Sequence, residues 1–265
     1  MRDTAIVERL REIAVRENIT ILYACESGSR GWQFASIDSD YDVRFVYLRP
    51  LDWYLSIHEK RDVIEEPIAD ALDFLGWDLR KTLQLFQRSN PRLLEWISSP
   101  IVYVPAAPVI QELWALAPAY FSPFTCGQHH IKMVRHYFAN ALVGERMHVK
   151  KIFYALRSSL ILKWIEETGA INPMNFWAKV ERLIADPILL DAIEQLFSAK
   201  QHSSEQALIP RIPALEEFVQ AEIARQSETY LTFPHNFGPD APLDAIFRSA
   251  FGATVQWPST QPSTL

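Results

Sequence analysis

The N-terminal part of the chain mixes the periodicities of helices and strands. Residues 4–17 place apolar side chains at helical spacing among charges, whereas short apolar runs that stop at glycine or proline are typical of strands. The pattern therefore predicts an α+β unit. Its predicted helices cover residues 4–17, 32–35, 51–57, 78–87 and 93–97, and its predicted strands cover residues 19–24, 42–48, 61–66, 69–75 and 101–104.

The remainder of the chain shows helical spacing without a convincing alternation of period two. Pro105 and Pro108 mark the change, so the pattern predicts an α+β domain over residues 1–106 and an all-α domain over residues 107–265. We expect the Ser-, Thr- and Pro-rich tail, residues 258–265, to be mobile. The predicted helices of the second domain cover residues 111–116, 127–142, 148–167, 173–184, 189–197 and 214–230, with a polar loop over 199–213.

The composition favours a folded protein of the cytoplasm. With 265 residues, 49% of them hydrophobic and 12% aromatic, the chain has enough apolar side chains for a core. The formal net charge of -6 excludes nucleic-acid binding by overall basic character, so any basic surface must be local. Cys25 and Cys126 form no metal or disulfide pattern, and no apolar run is long enough to cross a bilayer. We therefore expect a reducing, cytoplasmic location and no membrane partner, while the oligomeric state stays open.

The residues that suggest a chemical function are concentrated between positions 25 and 47. A strand is expected to end at a turn that contains Gly28 and Ser29, and such a turn brings backbone N–H groups close to a phosphate. Asp40 and Asp42 then lead into the next strand, where alternate residues face the same side. Carboxylates held that close repel each other, and Mg²⁺ or Mn²⁺ between them is the simplest compensation. A phosphate cradle beside a carboxylate pair indicates metal-assisted chemistry on a nucleotide.

This stretch resembles the signature of the DNA polymerase β-like nucleotidyltransferases, in which a Gly-Ser turn and a short helix precede a strand with Asp-x-Asp. Three further blocks make the chain similar to the bacterial predicted nucleotidyltransferases associated with RNA repair, over roughly residues 20–165. The blocks are GWDLRK at 76–81, SNP at 89–91 with EWI at 95–97 and SPIVY at 99–103, and KK at 150–151 with YALR at 154–157.

The resemblance implies a mixed β-sheet with flanking helices and two Mg²⁺ ions held by three carboxylates. Asp40 and Asp42 match the first two. We expect the third to be Asp73, because a carboxylate inside an apolar strand needs a partner or a metal. Asp70 and Asp78 remain alternatives, since Asp78 equally suits the cap of the helix that follows it. The acids at 65 and 66 are weaker candidates.

The implied reaction is transfer of NMP from an NTP to an acceptor hydroxyl, with release of pyrophosphate. Gly28, Ser29 and Arg30 are expected to hold the phosphates. Further nucleotide contacts are expected from one predicted helix, where Lys150, Tyr154 and Arg157 lie at i, i+4 and i+7 on one face, with Lys151 beside them.

Some of these candidate residues also have simpler interpretations. Lys150 and Lys151 suit a solvated helix face, and Arg157 suits a buried ion pair. His129 and His130 match no metal-ligand spacing, which favours core or surface roles.

An RNA end is the favoured acceptor, on family resemblance alone. The alternatives are nucleotidylation of a protein or small molecule, and a non-catalytic module that binds a nucleotide or a partner.

Overall fold

A five-stranded mixed sheet forms the centre of the N-terminal half of the computed structural model, which describes residues 2–202, 207–252 and 257. Its strands are β1 (Thr20–Glu26), β2 (Tyr41–Leu48), β3 (Val63–Glu65), β4 (Leu72–Asp78) and β5 (Val102–Val104). They lie in the order β3-β4-β2-β1-β5, with β2 and β4 parallel and the other neighbours antiparallel. The mixed sheet expected from the sequence is therefore confirmed.

Apolar side chains cover both faces of this sheet. Along β2, Val43 and Phe45 join one buried cluster, whereas Val46 joins another on the opposite face, as the alternation of a strand requires. A long N-terminal helix covers the first face through Ile6 and Leu10. The helices of this half are α1 (Arg2–Glu17), α2 (Gly28–Gly31), α3 (Leu51–Tyr54), α4 (Leu79–Gln87), α5 (Pro91–Ile97), α6 (Pro108–Ala115) and α7 (Ala117–Tyr120).

The parallel pairing of β2 with β4 fixes where the acidic side chains lie. Asp42 is directly opposite Asp73, and Tyr47 is opposite Asp78. With a rise of about 3.3 Å per residue, Asp78 lies roughly 16 Å from Asp73 along β4. The pair at 42 and 73 therefore lies at one end of the sheet, and Asp78 lies at the other.

The C-terminal half is built around one central helix. This helix, α9, is buried on most of its surface and contacts four other helices, so its apolar residues follow no single stripe. No helix within the described ranges is both long enough and apolar enough to span a bilayer. The helices of this half are α8 (Pro123–Ala139), α9 (Val149–Thr168), α10 (Phe176–Leu183), α11 (Pro187–Gln201), α12 (Pro213–Thr229) and α13 (Asp240–Ser249).

A small sheet interrupts the part that the sequence pattern predicts as all-α. Its three strands are β6 (Leu142–Val143), β7 (Arg146–His148) and β8 (Leu208–Pro210), which pair in that order. Strands of two or three residues are too short to show an alternation of period two, so the pattern missed them. The correction leaves the C-terminal region mainly helical.

Two further expectations need correction. The short helix predicted over residues 32–35 is instead α2, at the glycine turn itself. The helix α13 was not predicted, and its Leu243 and Ile246 pack into the cluster that also contains residues of α4 and α6. The predicted division at residue 106 stays a prediction, and the tail over 258–265 lies outside the described residues.

The buried cysteines and tryptophans have packing roles. Cys25 and Cys126 are free, and burial raises the pKa of each thiol to about 12, so neither is a ready nucleophile. Trp77 and Trp96 stack with ring centroids 3.8 Å apart inside the core.

Candidate active site

Two aspartates on adjacent strands share one arginine. The Nη2 of Arg44 donates to Oδ1 of Asp42 and, over 2.8 Å, to Oδ2 of Asp73. Arg44 is two residues after Asp42, so both side chains project from the same face of β2. The arginine side chain is 12% exposed and each aspartate is 30% exposed. A positive charge is therefore held between two partly buried carboxylates.

The groups around Asp42 act on its pKa in opposite directions. Burial is the largest effect on the pKa of Asp42 and raises it, and the negative charges of Asp73 and Asp40 raise it further. The positive charges of Arg44 and Lys150 act in the opposite direction. The site thus favours a cation between the strands.

Gly28 lies against the carboxylate of Asp42. A Cβ atom at Gly28 would lie 1.8 Å from Oδ2 of Asp42, and the glycine has a φ of +56°. The backbone N–H of Ser27 also donates to the carbonyl of Asp42 over 2.8 Å. Both the close approach and the left-handed backbone require glycine here, and together they place Ser29 next to the strand.

A buried glutamate supports the same strand. Glu26 is fully buried, and its Oε1 accepts a hydrogen bond of 2.9 Å from the backbone N–H of Asp42. Its Oε2 accepts from the hydroxyl of Tyr103. Burial raises the pKa of Glu26 to about 7, although these two donors oppose the rise. Glu26 therefore positions the start of β2 from inside the core.

Asp40 and Arg30 lie at the rim of the site. Asp40 is exposed and precedes β2, which begins at Tyr41. Arg30 donates to the backbone carbonyls of Ser39 and Asp40 over 2.8 and 3.2 Å, and its guanidinium lies 3.9 Å from the centroid of the Tyr41 ring. Arg30 thus ties the loop before β2 to the turn, and its contact with phosphate stays a prediction.

The alternative third carboxylates lie elsewhere. Asp70 is exposed in the turn before β4. Asp78 accepts hydrogen bonds from the backbone N–H of Arg80 and from the hydroxyl of Tyr54, so it caps α4. Glu65 and Glu66 form ion pairs with arginines at 61, 9 and 16. Of the acids considered, Asp73 is the one directly opposite Asp42 in the β2–β4 pairing.

The helical half contributes Lys150 and Tyr154 from α9. The charge of Lys150 acts on Asp42, and burial together with Asp42 raises the pKa of Tyr154. The Tyr154 ring stacks on Tyr137, with centroids 5.1 Å apart. Lys151 is half-buried, and its place in nucleotide binding stays a prediction.

Arg157 is placed farther along the same helix, inside the protein. It is 7% exposed, and its guanidinium lies 4.8 Å from the centroid of Trp32, the residue that follows α2. Its Nε is buried without a hydrogen-bond partner in the described part of the chain. The structure thus shows no partner for this Nε within the described ranges, and the contact of Arg157 with the nucleotide stays a prediction.

The donor set of the site suits a cation, although the three-carboxylate arrangement is not assembled. No group of three or more His, Cys, Asp or Glu side chains within the described ranges is placed to hold a metal ion. Asp42 and Asp73 nevertheless direct oxygens at one cationic group, the guanidinium of Arg44. Carboxylate oxygens of this kind are the ligands that Mg²⁺ and Mn²⁺ prefer.

Sequence reasoning missed Arg44 and Glu26. The alternation Asp42-x-Arg44 within an apolar strand was a usable signal, because it places opposite charges on one face. Glu26 at the end of the apolar run of β1 was another, since a buried acid needs partners.

The fold and the site define the class of the protein. A mixed sheet in which a Gly-Ser turn lies against a strand aspartate is what the resemblance to the DNA polymerase β-like nucleotidyltransferases implied. Residues 1–249 match the RNA repair pathway DNA polymerase beta family, RlaP, and the chain belongs to this family. It is also similar to the uncharacterized protein YcgL of Bacillus subtilis strain 168, with 45% identity over 223 residues that make up 84% of this chain and 86% of that protein.

Replacing Gly28 by alanine tests the contact with Asp42. Gly144 is a matched control, because its φ is +55° and a Cβ atom added there would meet no heavy atom of the described residues within 4 Å. We expect Gly28→Ala to lower the free energy of unfolding by about 1–3 kcal/mol more than Gly144→Ala does, since only the former displaces a carboxylate. Urea unfolding of both variants measures the difference, and equal losses would contradict the contact.

Replacing Arg44 by glutamine tests the shared positive charge. Two partly buried carboxylates would lose their cation, and we expect the free energy of unfolding at pH 7 to fall by about 1–3 kcal/mol. Arg61→Gln removes the same charge from an exposed pair with Glu65, where we expect a loss of about 0.5 kcal/mol or less. Thermal and urea unfolding provide the comparison, and a loss at Arg44 no larger than the control would refute the assignment.

Proposed function

We propose that the protein transfers a nucleoside monophosphate from an NTP to an acceptor hydroxyl. The observation that carries this proposal is the pairing of Asp42 with Asp73 on parallel strands, beside a glycine turn that lies against the Asp42 carboxylate. Membership of the RNA repair pathway DNA polymerase beta family supports the same reaction class.

The turn suits the phosphates of the nucleotide. Backbone N–H groups in the first turn of a helix have no acceptor within the helix, so those at the start of α2 are available to an anion. Ser29 adds a hydroxyl, and Gly28 keeps the backbone free of a side chain next to Asp42. The triphosphate would lie over this turn and against β2.

Asp42 and Asp73 would hold the divalent cation, with Asp40 at the rim. When bound, Mg²⁺ or Mn²⁺ supplies charge stabilisation to the phosphates and lowers the pKa of the acceptor hydroxyl. Arg44 would have to release the two carboxylates for this, and its guanidinium would then be available to the phosphates. Lys150 and Tyr154 face the site from α9 and would orient the nucleotide.

The acceptor is proposed to be an RNA end, as the description of the family suggests. A second candidate is a nucleotide-binding or partner-binding module without catalysis. The contacts of Arg44 favour this candidate, because a guanidinium already satisfies both carboxylates. Transfer to a protein or small molecule remains the other enzymatic alternative.

A transfer assay separates these functions. The protein is mixed with radiolabelled NTPs, Mg²⁺ and either RNA or protein acceptors. We expect label in RNA, and we expect Asp42→Asn and Asp73→Asn to lower the rate by about a hundredfold or more, because each removes charge that holds the cation. Asp70→Asn is the matched control and should retain the wild-type rate, since Asp70 is exposed in the turn before β4.

Each outcome has a distinct meaning. Label in protein favours nucleotidylation of a protein, and no label with any acceptor from a folded chain favours the binding module. A wild-type rate for Asp73→Asn would show that the pair on β2 and β4 is not the catalytic centre.

A further inference from the structure

A cluster of cationic side chains lies between α5, α8, α9 and α10. The cationic cluster consists of Arg92, His129, Lys132, Arg157 and Lys179. Arg157 is its buried centre, and its Nε has no hydrogen-bond partner among the described residues. Because an arginine in a protein keeps its charge, this position is a buried positive charge.

The charge of Arg157 affects the pKa values of its neighbours. Burial is the largest effect that lowers the pKa of Lys179, to about 7, and the charge of Arg157 adds to it. The pKa of His129 and that of His130 are also lowered, first by burial and then by nearby positive charges that include Arg157. The charge of Arg157 therefore acts on all three side chains, in addition to the larger effect of burial.

Opposing negative charge is scarce in this region. Glu95 raises the pKa of Lys179 and is half-buried on α5. Lys179 donates to the carbonyls of Pro173 and Asn175, which carry no full charge. One carboxylate does not balance the cationic cluster, so an anion would be stabilised there.

Polar atoms without partners point to the same place. Within the described ranges, the Nε of Arg157, the Nε1 of Trp32 and the Nδ1 of His130 are all buried without a hydrogen-bond partner. Each of these side chains is more than nine-tenths buried, and the guanidinium of Arg157 and the ammonium of Lys179 lie 4.8 and 4.6 Å from the Trp32 ring centroid. Buried donors of this kind are normally satisfied, and an anionic oxygen would accept from them.

The cluster continues to the surface. His129 is half-buried, and the charges that act on it come from the exposed Arg92 and Lys132 as well as from Arg157. Exposed and buried positive charges therefore both act on the half-buried His129. In a chain with a net charge of -6, this is the local basic surface that an anionic strand requires.

We propose that the cationic cluster binds phosphate groups of a single-stranded nucleic-acid acceptor, with one phosphate at Arg157 and the neighbouring backbone along His129, Lys132 and Arg92. The assignment to an acceptor rests on the proposed function. The binding of a phosphate-bearing strand does not.

The exposed members of the cationic cluster, and not Arg157, distinguish it from the nucleotide contacts. Arg157 itself borders those contacts, because its guanidinium lies 4.8 Å from the ring centroid of Trp32, the residue after α2, and 5.0 Å from that of Tyr154. The exposed Arg92 and Lys132 extend the positive surface beyond what a single nucleotide needs.

Binding in EDTA, without any transfer, tests the proposal. The probes are a fluorescent single-stranded oligoribonucleotide and ATP. We expect Arg157→Gln to weaken oligonucleotide binding by about tenfold or more, because a charge-assisted contact to phosphate is lost. We expect Lys132→Gln to leave ATP binding unchanged, because Lys132 is an exposed side chain of α8 and is not among the predicted nucleotide contacts.

Lys132→Gln is a second variant with an exposed side chain, so it keeps the test valid if Arg157→Gln does not fold. It should weaken oligonucleotide binding severalfold and reduce the slope of log affinity against log salt by about 0.7. Arg135→Gln is the matched control, because Arg135 is an exposed arginine on the same helix that donates to Ser227. The control should bind like the wild type.

Three results would overturn the proposal. The first is oligonucleotide binding by Lys132→Gln and a folded Arg157→Gln that equals the wild type. The second is equal weakening by Arg135→Gln, which would show an effect of overall charge alone. The third is a loss of ATP binding in Lys132→Gln as large as the loss of oligonucleotide binding, which would assign the cluster to the nucleotide. If the protein binds the oligonucleotide through Arg157 but transfers no label, the proposed function is wrong and this inference stands.

Discussion

Two carboxylates held side by side on parallel strands need a positive charge between them, and the site is built around that need. The register of β2 and β4 places Asp42 opposite Asp73, and Arg44 supplies the charge from the same face. Burial is the largest cause that raises the pKa of Asp42, the charges of Asp73 and Asp40 add to it, and the charge of Arg44 opposes them. A divalent cation carries more positive charge than one guanidinium and stabilises the two carboxylates more strongly.

The elements around this pair restrict where a substrate can bind. Gly28 brings the turn of α2 into contact with the Asp42 carboxylate, while Glu26 holds the backbone of Asp42 from the buried side. The central helix α9 then brings Lys150 to the open side. The sheet therefore supplies negative charge at the site, and the helical half supplies positive charge that acts on it.

The sequence predicted the local parts of this arrangement better than the long-range ones. Gly28, Ser29 and Asp42 are close in the chain, so turn chemistry and strand alternation were enough to bring them together. Asp73 was chosen because it is an acid within an apolar strand, and the β2–β4 pairing does place it beside Asp42. Its role in metal binding stays a prediction.

Features set by tertiary packing were not predictable in the same way. Arg44 contacts both Asp42 and Asp73 because of the register between β2 and β4. The pattern of a single strand does not contain this register. The small sheet of β6, β7 and β8 joins segments that are about sixty residues apart and too short to show a period. The burial of Arg157 against Trp32 likewise depends on packing between the two halves, so the sequence alone permitted both an ion pair and a phosphate contact.

The most direct measurement of the central claim is a crystal structure of the protein soaked with Mn²⁺ and a non-hydrolysable NTP. The account predicts anomalous density for manganese between the carboxylates of Asp42 and Asp73, with Arg44 turned away and the triphosphate over the turn at Gly28 and Ser29. Manganese bound elsewhere, or nucleotide bound while Arg44 still bridges the two aspartates, would contradict it.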